Sequence, residues 1–246
     1  MQIASPYLSL GSTVHDAIKW HIEMAGPLRL ASSEARQVTY EQLEGKFRNL
    51  WLKYTGKRGG FSTKEDEASF GKRGLLMLEN FFRNAKNLED KHHSIEFPKY
   101  PLLDNVILMG NFDFIGEKED QTLHVVDFKT GANDEKDPIQ LYIYAILAEA
   151  NLEKSVSSAS FWYLDREDKP RDIVLDPLEP KLEWLKEKAT ELKKAIGEGM
   201  WVCPSTRSAR SGLCRDCRDY HAILDGKGEF QFTDYRYKKD VYYLPK

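Results

Sequence analysis

Two apolar runs separated by a short charged turn constrain this chain more than any other feature. Residues 105–116 read NVILMGNFDFIG and residues 121–129 read QTLHVVDFK, with EKED between them. β-Branched and aromatic residues around such a turn predict two strands joined as a hairpin. Each run carries an aspartate, Asp113 and Asp127. A carboxylate inside an apolar strand is costly unless it is paired or holds a cation. Lys129 follows Asp127 by two residues, and in a strand such positions face the same way. One strand therefore aims an acid and an ammonium at a common point, beside a second acid on its neighbour. Hard cations such as Mg²⁺ take oxygen ligands, often one or two carboxylates completed by substrate phosphate. A lysine placed there can orient water and offset charge developing on phosphorus.

The segments on either side predict helices and further strands. Residues 12–25 place Val14, Ile18, Ile22 and Ala25 at helical spacing, with Ser12 or Thr13 as N-cap. Residues 39–54 and 63–86 form two more amphipathic patterns, capped by Thr39 and Thr63. Between them lies the basic, glycine-rich stretch TGKRGGFS. Residues 93–97 alternate like a strand and carry Glu96, read first as a strand-surface acid and second as a further acid of the site. Asp137 and Pro138 predict the start of a helix, with Pro138 at its first position. On that helix Gln140 and Tyr144 share one face, and their polar ends suit phosphate or the strand residues. Residues 157–164 and 171–175 predict strands, and 178–197 a long helix with a solvated, charge-alternating face. His15 lies far upstream on the first helix, where a neutral imidazole could add a ligand.

Taken in order, Gly11-Ser-Thr-Val-His15, Gly110-Asn-Phe-Asp113, Asp127-Phe-Lys129-Thr-Gly131 and Gln140-x-x-x-Tyr144 resemble the RecB-like branch of the PD-(D/E)XK nuclease superfamily. Asp-x-Lys alone is a chance pattern; the ordered set of four blocks is specific. The resemblance implies an α/β fold with a restriction-endonuclease-like core: a central mixed sheet flanked by helices. It implies one nuclease domain over 1–246, with a helical part at about 11–90, a catalytic core at about 91–198 and a Cys/Arg-rich tail at about 199–246. It assigns His15, Asp113, Asp127 and the Phe128 carbonyl to a Mg²⁺ or Mn²⁺ ion and makes Lys129 the catalytic lysine. Gln140 and Tyr144 support the site. It also implies DNA as substrate, as single strands or duplex ends, exonuclease action in repair, recombination or CRISPR adaptation, and a helicase or other protein of those processes as partner.

The tail holds all three cysteines. Cys214-Arg-Asp-Cys217 resembles the centre of the cysteine knuckle that holds a four-iron cluster in many relatives. Ile223 stands where a last cysteine is expected and none precedes Gly11, so three cysteines exclude a complete Cys₄ cluster within this chain. Three readings stay open: a zinc site of Cys203, Cys214, Cys217 and His221, a metal-free relic, or a cluster completed by a segment outside this chain. Arg207, Arg210, Arg215 and Arg218 form one candidate basic patch, and Lys57, Arg58, Lys72 and Arg73 another. Tyr235, Tyr237 and Tyr242 are read first as packing against the core, and second as bases' stacking partners beside Arg236, Lys238 and Lys239.

Composition narrows the remaining classes. The formal net charge of -3 decides nothing about nucleic acid, because binding depends on where the cations cluster. No apolar run approaches the roughly 20 residues that span a bilayer, and an odd number of clustered cysteines argues against a disulfide framework. A cytoplasmic setting is the default expectation. No Walker A pattern is present, so a helicase motor would belong to another chain. Two rivals remain. A non-catalytic DNA- or partner-binding module on the same fold would bind without cleaving. A metal-dependent phosphodiesterase acting on RNA would differ in substrate preference.

Overall fold

The computed structural model describes residues 1–25, 38–89, 91–199, 213–235 and 237–245. A short strand, β1 (Gln2–Ile3), leads into helix α1 (Pro6–Ala25). This helix starts well before the expected residue 12. Pro6 pre-sets the backbone dihedral of a first helical residue, and the helical bond from Ser9 N–H to the Ser5 carbonyl closes the first turn at 2.9 Å. Ser12 and Thr13 are thus interior, not caps, and the Thr13 hydroxyl donates back to the Ser9 carbonyl at 2.7 Å. Helix α2 (Tyr40–Trp51) has the expected cap: Thr39 accepts from Gln42 N–H, while the Gln42 side chain accepts from Thr39 N–H. Helix α3 (Lys64–Asn84) is capped by Thr63 and opens with Glu65, Asp66 and Glu67 against its positive dipole end. Two 3-10 turns, Leu52–Tyr54 and Gly56–Gly59, connect α2 to α3.

The expected strand over 93–97 does not form. Strand β2 covers only Lys91–His92, and Phe97 adopts a positive φ of 53°, which no strand tolerates. The 105–116 run divides. Strand β3 (Lys99–Leu103), which its sequence did not announce, pairs with β4 (Val106–Met109) as a separate hairpin, and β5 (Phe114–Glu117) joins the central sheet. Gly110 marks the break: a Cβ there would lie 2.9 Å from Leu147 Cδ1, so the backbone passes close to the next helix and a side chain would have to displace Leu147. Strand β6 (Leu123–Lys129) pairs antiparallel with β5 through the expected turn. Helix α4 (Ile139–Leu152) starts one residue later than expected. Pro138 is its N-cap, and Asp137 Oδ1 accepts from Ile139 N–H at 3.0 Å.

Strand β7 (Val156–Tyr163) runs parallel to β6, and β8 (Arg171–Ile173) closes the sheet antiparallel to β7. The order is β2-β5-β6-β7-β8, a mixed sheet with β6 at its centre. Helix α5 (Leu178–Glu198) follows, then α6 (Arg215–Leu224). Strands β9 (Glu229–Asp234) and β10 (Lys239–Tyr243) form a hairpin, and β1 adds to β10 in parallel. The alternation of β6 sets the layers. Val126 and Phe128 face α1–α3, joining Leu10, Val14, Phe47, Phe81 and Trp162 in one apolar cluster. Leu123 and Val125 face α4, against Tyr144 and Ala148. The same period carries Asp127 and Lys129 to the α4 face. Among the described residues no helix is long and apolar enough to cross a membrane.

Candidate active site

Asp127 lies in the central strand and is only 2% exposed. Its neighbours across the parallel pairing are residues of β7, with Phe161 directly opposite. Lys129 returns to the same face, and its ammonium stands 2.8 Å from Asp127 Oδ2. Asp127 Oδ2 is thus a buried oxygen whose partner is the Lys129 ammonium. Burial pushes the Asp127 carboxyl up to about 6; repulsion from Asp113 adds to that, and Lys129 offsets part of it.

Asp113 precedes β5 and is two positions before Ile115, which also faces α4. Its two oxygens are both engaged. Oδ1 lies 2.8 Å from His15 Nδ1, and Oδ2 accepts from the Phe128 N–H at 2.9 Å. The second bond reveals the geometry of Phe128. In an extended strand the N–H and C=O of one residue point to the same edge. The Lys129 carbonyl accepts from Leu164 N–H on the β7 side, so the Phe128 carbonyl faces the Asp113 side, past the end of β5. Burial alone would lower the pKa of His15, but the Asp113 carboxylate beside it outweighs this and raises it.

Helix α4 completes the cluster. Lys129 Nζ donates to Gln140 Oε1 at 2.8 Å, and Gln140 Nε2 donates to the Tyr144 hydroxyl oxygen at 2.8 Å. Lys129 also lies over the Phe161 ring, 4.8 Å from its centroid. Tyr144 is raised by burial and by the two acids, so it stays a neutral phenol. Six residues that the sequence selected, His15, Asp113, Asp127, Lys129, Gln140 and Tyr144, are therefore one connected constellation drawn from α1, β6, α4 and the approach to β5.

Two further residues bear on Lys129 and on the chain just after it. Glu135, in the loop after β6, approaches Lys129 at 3.5 Å. Arg73 of α3 donates to the Thr130 carbonyl at 2.9 Å and pairs with Asp165 at 3.1 Å, fixing the chain just past Lys129. Glu135 had no sequence signal, since a loop position follows no periodic rule; Arg73 was expected only as part of a basic patch. Of the four residues of that patch, Arg73 is thus tied to the site's frame, and Lys57 bonds Glu229 at 2.7 Å. Glu96 is exposed and outside any strand, so it does not join the acids.

Cys203, Arg207, Arg210 and Arg236 lie outside the described residues, as does the side chain of Arg215. Cys214 and Cys217 are half-buried, with Cys214 Sγ accepting from Cys217 N–H at 3.5 Å, and His221 is exposed. Among the described residues no three His, Cys, Asp or Glu side chains form a ready metal cage, here or elsewhere. The donor set around β6 nevertheless fits a hard divalent cation: two carboxylates close enough to repel each other, one of them buried, and an adjacent imidazole.

A search of curated proteins finds no match. A family model described as the PD-(D/E)XK nuclease superfamily matches residues 2–223, nearly the whole chain. Members of that superfamily are generally metal-dependent nucleases. With a mixed sheet flanked by helices and the acids and lysine gathered on its central strand, the chain belongs to the PD-(D/E)XK nuclease superfamily.

Proposed function

We propose that the protein hydrolyses DNA phosphodiester bonds with Mg²⁺ or Mn²⁺, as an exonuclease of the RecB-like branch. The observation that carries this reading is the meeting of Asp113, Asp127 and Lys129 on one face, with Lys129 held between Asp127 and Gln140. The branch, and with it exonuclease action in repair, recombination or CRISPR adaptation beside a helicase or other protein, rests on the four ordered blocks beginning with Gly11 and His15.

Asp113, Asp127, the Phe128 carbonyl and His15 are the groups that would hold the cation. When bound, it supplies Lewis-acid polarisation of a phosphate oxygen and a water more easily deprotonated at neutral pH. The protein's own residues do the positioning. Gln140, itself fixed by Tyr144, holds the Lys129 ammonium where it can orient the attacking water and offset negative charge on the phosphate. His15 keeps the Asp113 carboxylate turned toward the strand end.

The test is degradation of end-labelled single-stranded and duplex DNA, with and without each metal, beside Asp127→Ala and Lys129→Ala. Each variant is expected to lose at least about a hundredfold in rate while keeping its fold. Wild-type cutting by a folded variant would sink the assignment. Faster cleavage of RNA in the same assay would move the substrate to RNA.

A further inference from the structure

A cavity of about 540 Å³ opens beside the candidate acids. His15 and Asp113 form one side of it. The facing side comes from distant parts of the chain: Lys53 and Arg58 between α2 and α3, and Phe232, Tyr237 and Lys239 from the β9–β10 hairpin. A second hollow is lined by Phe230, Phe232 and Tyr235. Lys53, Arg58, Phe232 and Asp234 line both hollows, so one continuous surface runs from Asp113 to Tyr235.

Its chemistry is basic and aromatic in alternation. The Arg58 guanidinium lies 4.9 Å from the Phe232 ring centroid, and Lys53 5.8 Å from it. Lys239 lies 5.8 Å from the Tyr237 centroid. Phe230, Tyr237 and Tyr235 are 57%, 56% and 85% exposed, so the expected packing of these tyrosines against the core does not hold for Tyr235 and Tyr237. Asp234, 3.7 Å from Lys53, offsets part of the charge, but Arg58 and Lys239 keep the wall cationic.

We infer that this wall binds a single DNA strand, stacking its bases on the β9–β10 aromatics and leading its backbone from Arg58, Lys53 and Lys239 to Asp113. The inference rests on the nuclease reading for the direction of travel; it adds the surface that holds the substrate and chooses the single strand over the duplex end. A duplex keeps its base faces stacked inside, so exposed rings beside fixed cations favour unpaired bases. A phosphate backbone supplies the charge complement.

The test is fluorescence anisotropy with a labelled single-stranded 20-mer and the matching duplex, in EDTA so that no strand is cut. The variants are Phe230→Ala with Tyr237→Ala, both exposed, and separately Arg58→Gln with Lys239→Gln; circular dichroism checks the fold. Single-strand affinity is expected to fall about tenfold in the aromatic pair, with duplex affinity changed less than twofold. The charge pair is expected to weaken the strand and flatten the salt dependence of its binding. Unchanged single-strand affinity in both, or equal loss for strand and duplex in the aromatic pair, would overturn the inference. Cleavage by Asp127→Ala is read in parallel. Wild-type cutting there would remove the nuclease reading, while the anisotropy comparison would still decide whether the wall holds a strand.

Discussion

At the scale of single residues, the site is organised around a carboxylate whose environment disfavours its charge. Asp127 is buried among apolar strand residues and faces a second acid, and its carboxyl is pushed up to about 6. A proton and a cation compete for the same oxygens. Metal affinity should therefore be constant above about pH 7 and fall as pH drops through about 6, by about tenfold at pH 5. His15 works in the same direction: its pKa is raised, and only the neutral imidazole can ligate. Mn²⁺ titrations at a series of pH values followed by electron paramagnetic resonance would read this directly; affinity unchanged from pH 8 to pH 5 would contradict it. The same physics made the residues legible in the sequence. An acid in an apolar strand is conspicuous because it is expensive, and the period of two tied Lys129 to it. Glu135 was silent, and Arg73 was legible only as a surface cation, because each acts from a position where a charge costs little and needs no explanation.

At the scale of elements, long periodic segments announced themselves and short ones did not. The capped helices α2 and α3 and the β5–β6 hairpin followed from caps, moments and alternation. Strand β1 has two residues and β2 has two, too few for a period, so their pairing depends entirely on what the rest of the chain brings beside them. The β9–β10 hairpin hid in a tail whose charges and aromatics obscured alternation. The joint between β1 and the basic turn illustrates how such contacts are held. Gly60 has a φ of 84°, and a Cβ there would lie 2.7 Å from the backbone of Ala4 and Ser5. Only glycine suits both the dihedral and the approach. Gly60→Val is expected to destabilise the protein by about 3 kcal/mol, from backbone strain together with displacement of the chain after β1. Chemical denaturation would measure it, and an unchanged midpoint would mean that β1 does not depend on this contact.

At the scale of the whole molecule, a site that gathers like charges in the core opposes the stability of the fold that builds it. The sign follows from linkage. The Asp127 carboxyl titrates near 6 when folded and near 3.9 in an unfolded chain. Between these values the native state binds more protons than the unfolded one, so stability falls as pH rises through the window, and the loss persists above it. Lys129 and the solvent relaxation around a strongly coupled pair limit the effect to about 1–3 kcal/mol. Asp127→Asn removes the charge but keeps the shape. In EDTA at pH 7.5 it should raise the melting temperature by several degrees, and at pH 3.5, where the wild-type acid is already protonated when folded, the two should melt together. Metal should reverse the order. A cation at 100 times its Kd adds about 2.7 kcal/mol to the wild type and little to a variant that has lost a ligand. Calorimetric scans of both proteins, with and without Mn²⁺, therefore separate two accounts of Asp127. If the variant melts lower in EDTA at pH 7.5, the ion pair with Lys129 stabilises the fold and the acid is structural. If it melts higher and ignores Mn²⁺, the charge is a cost that the fold carries for the sake of binding a cation.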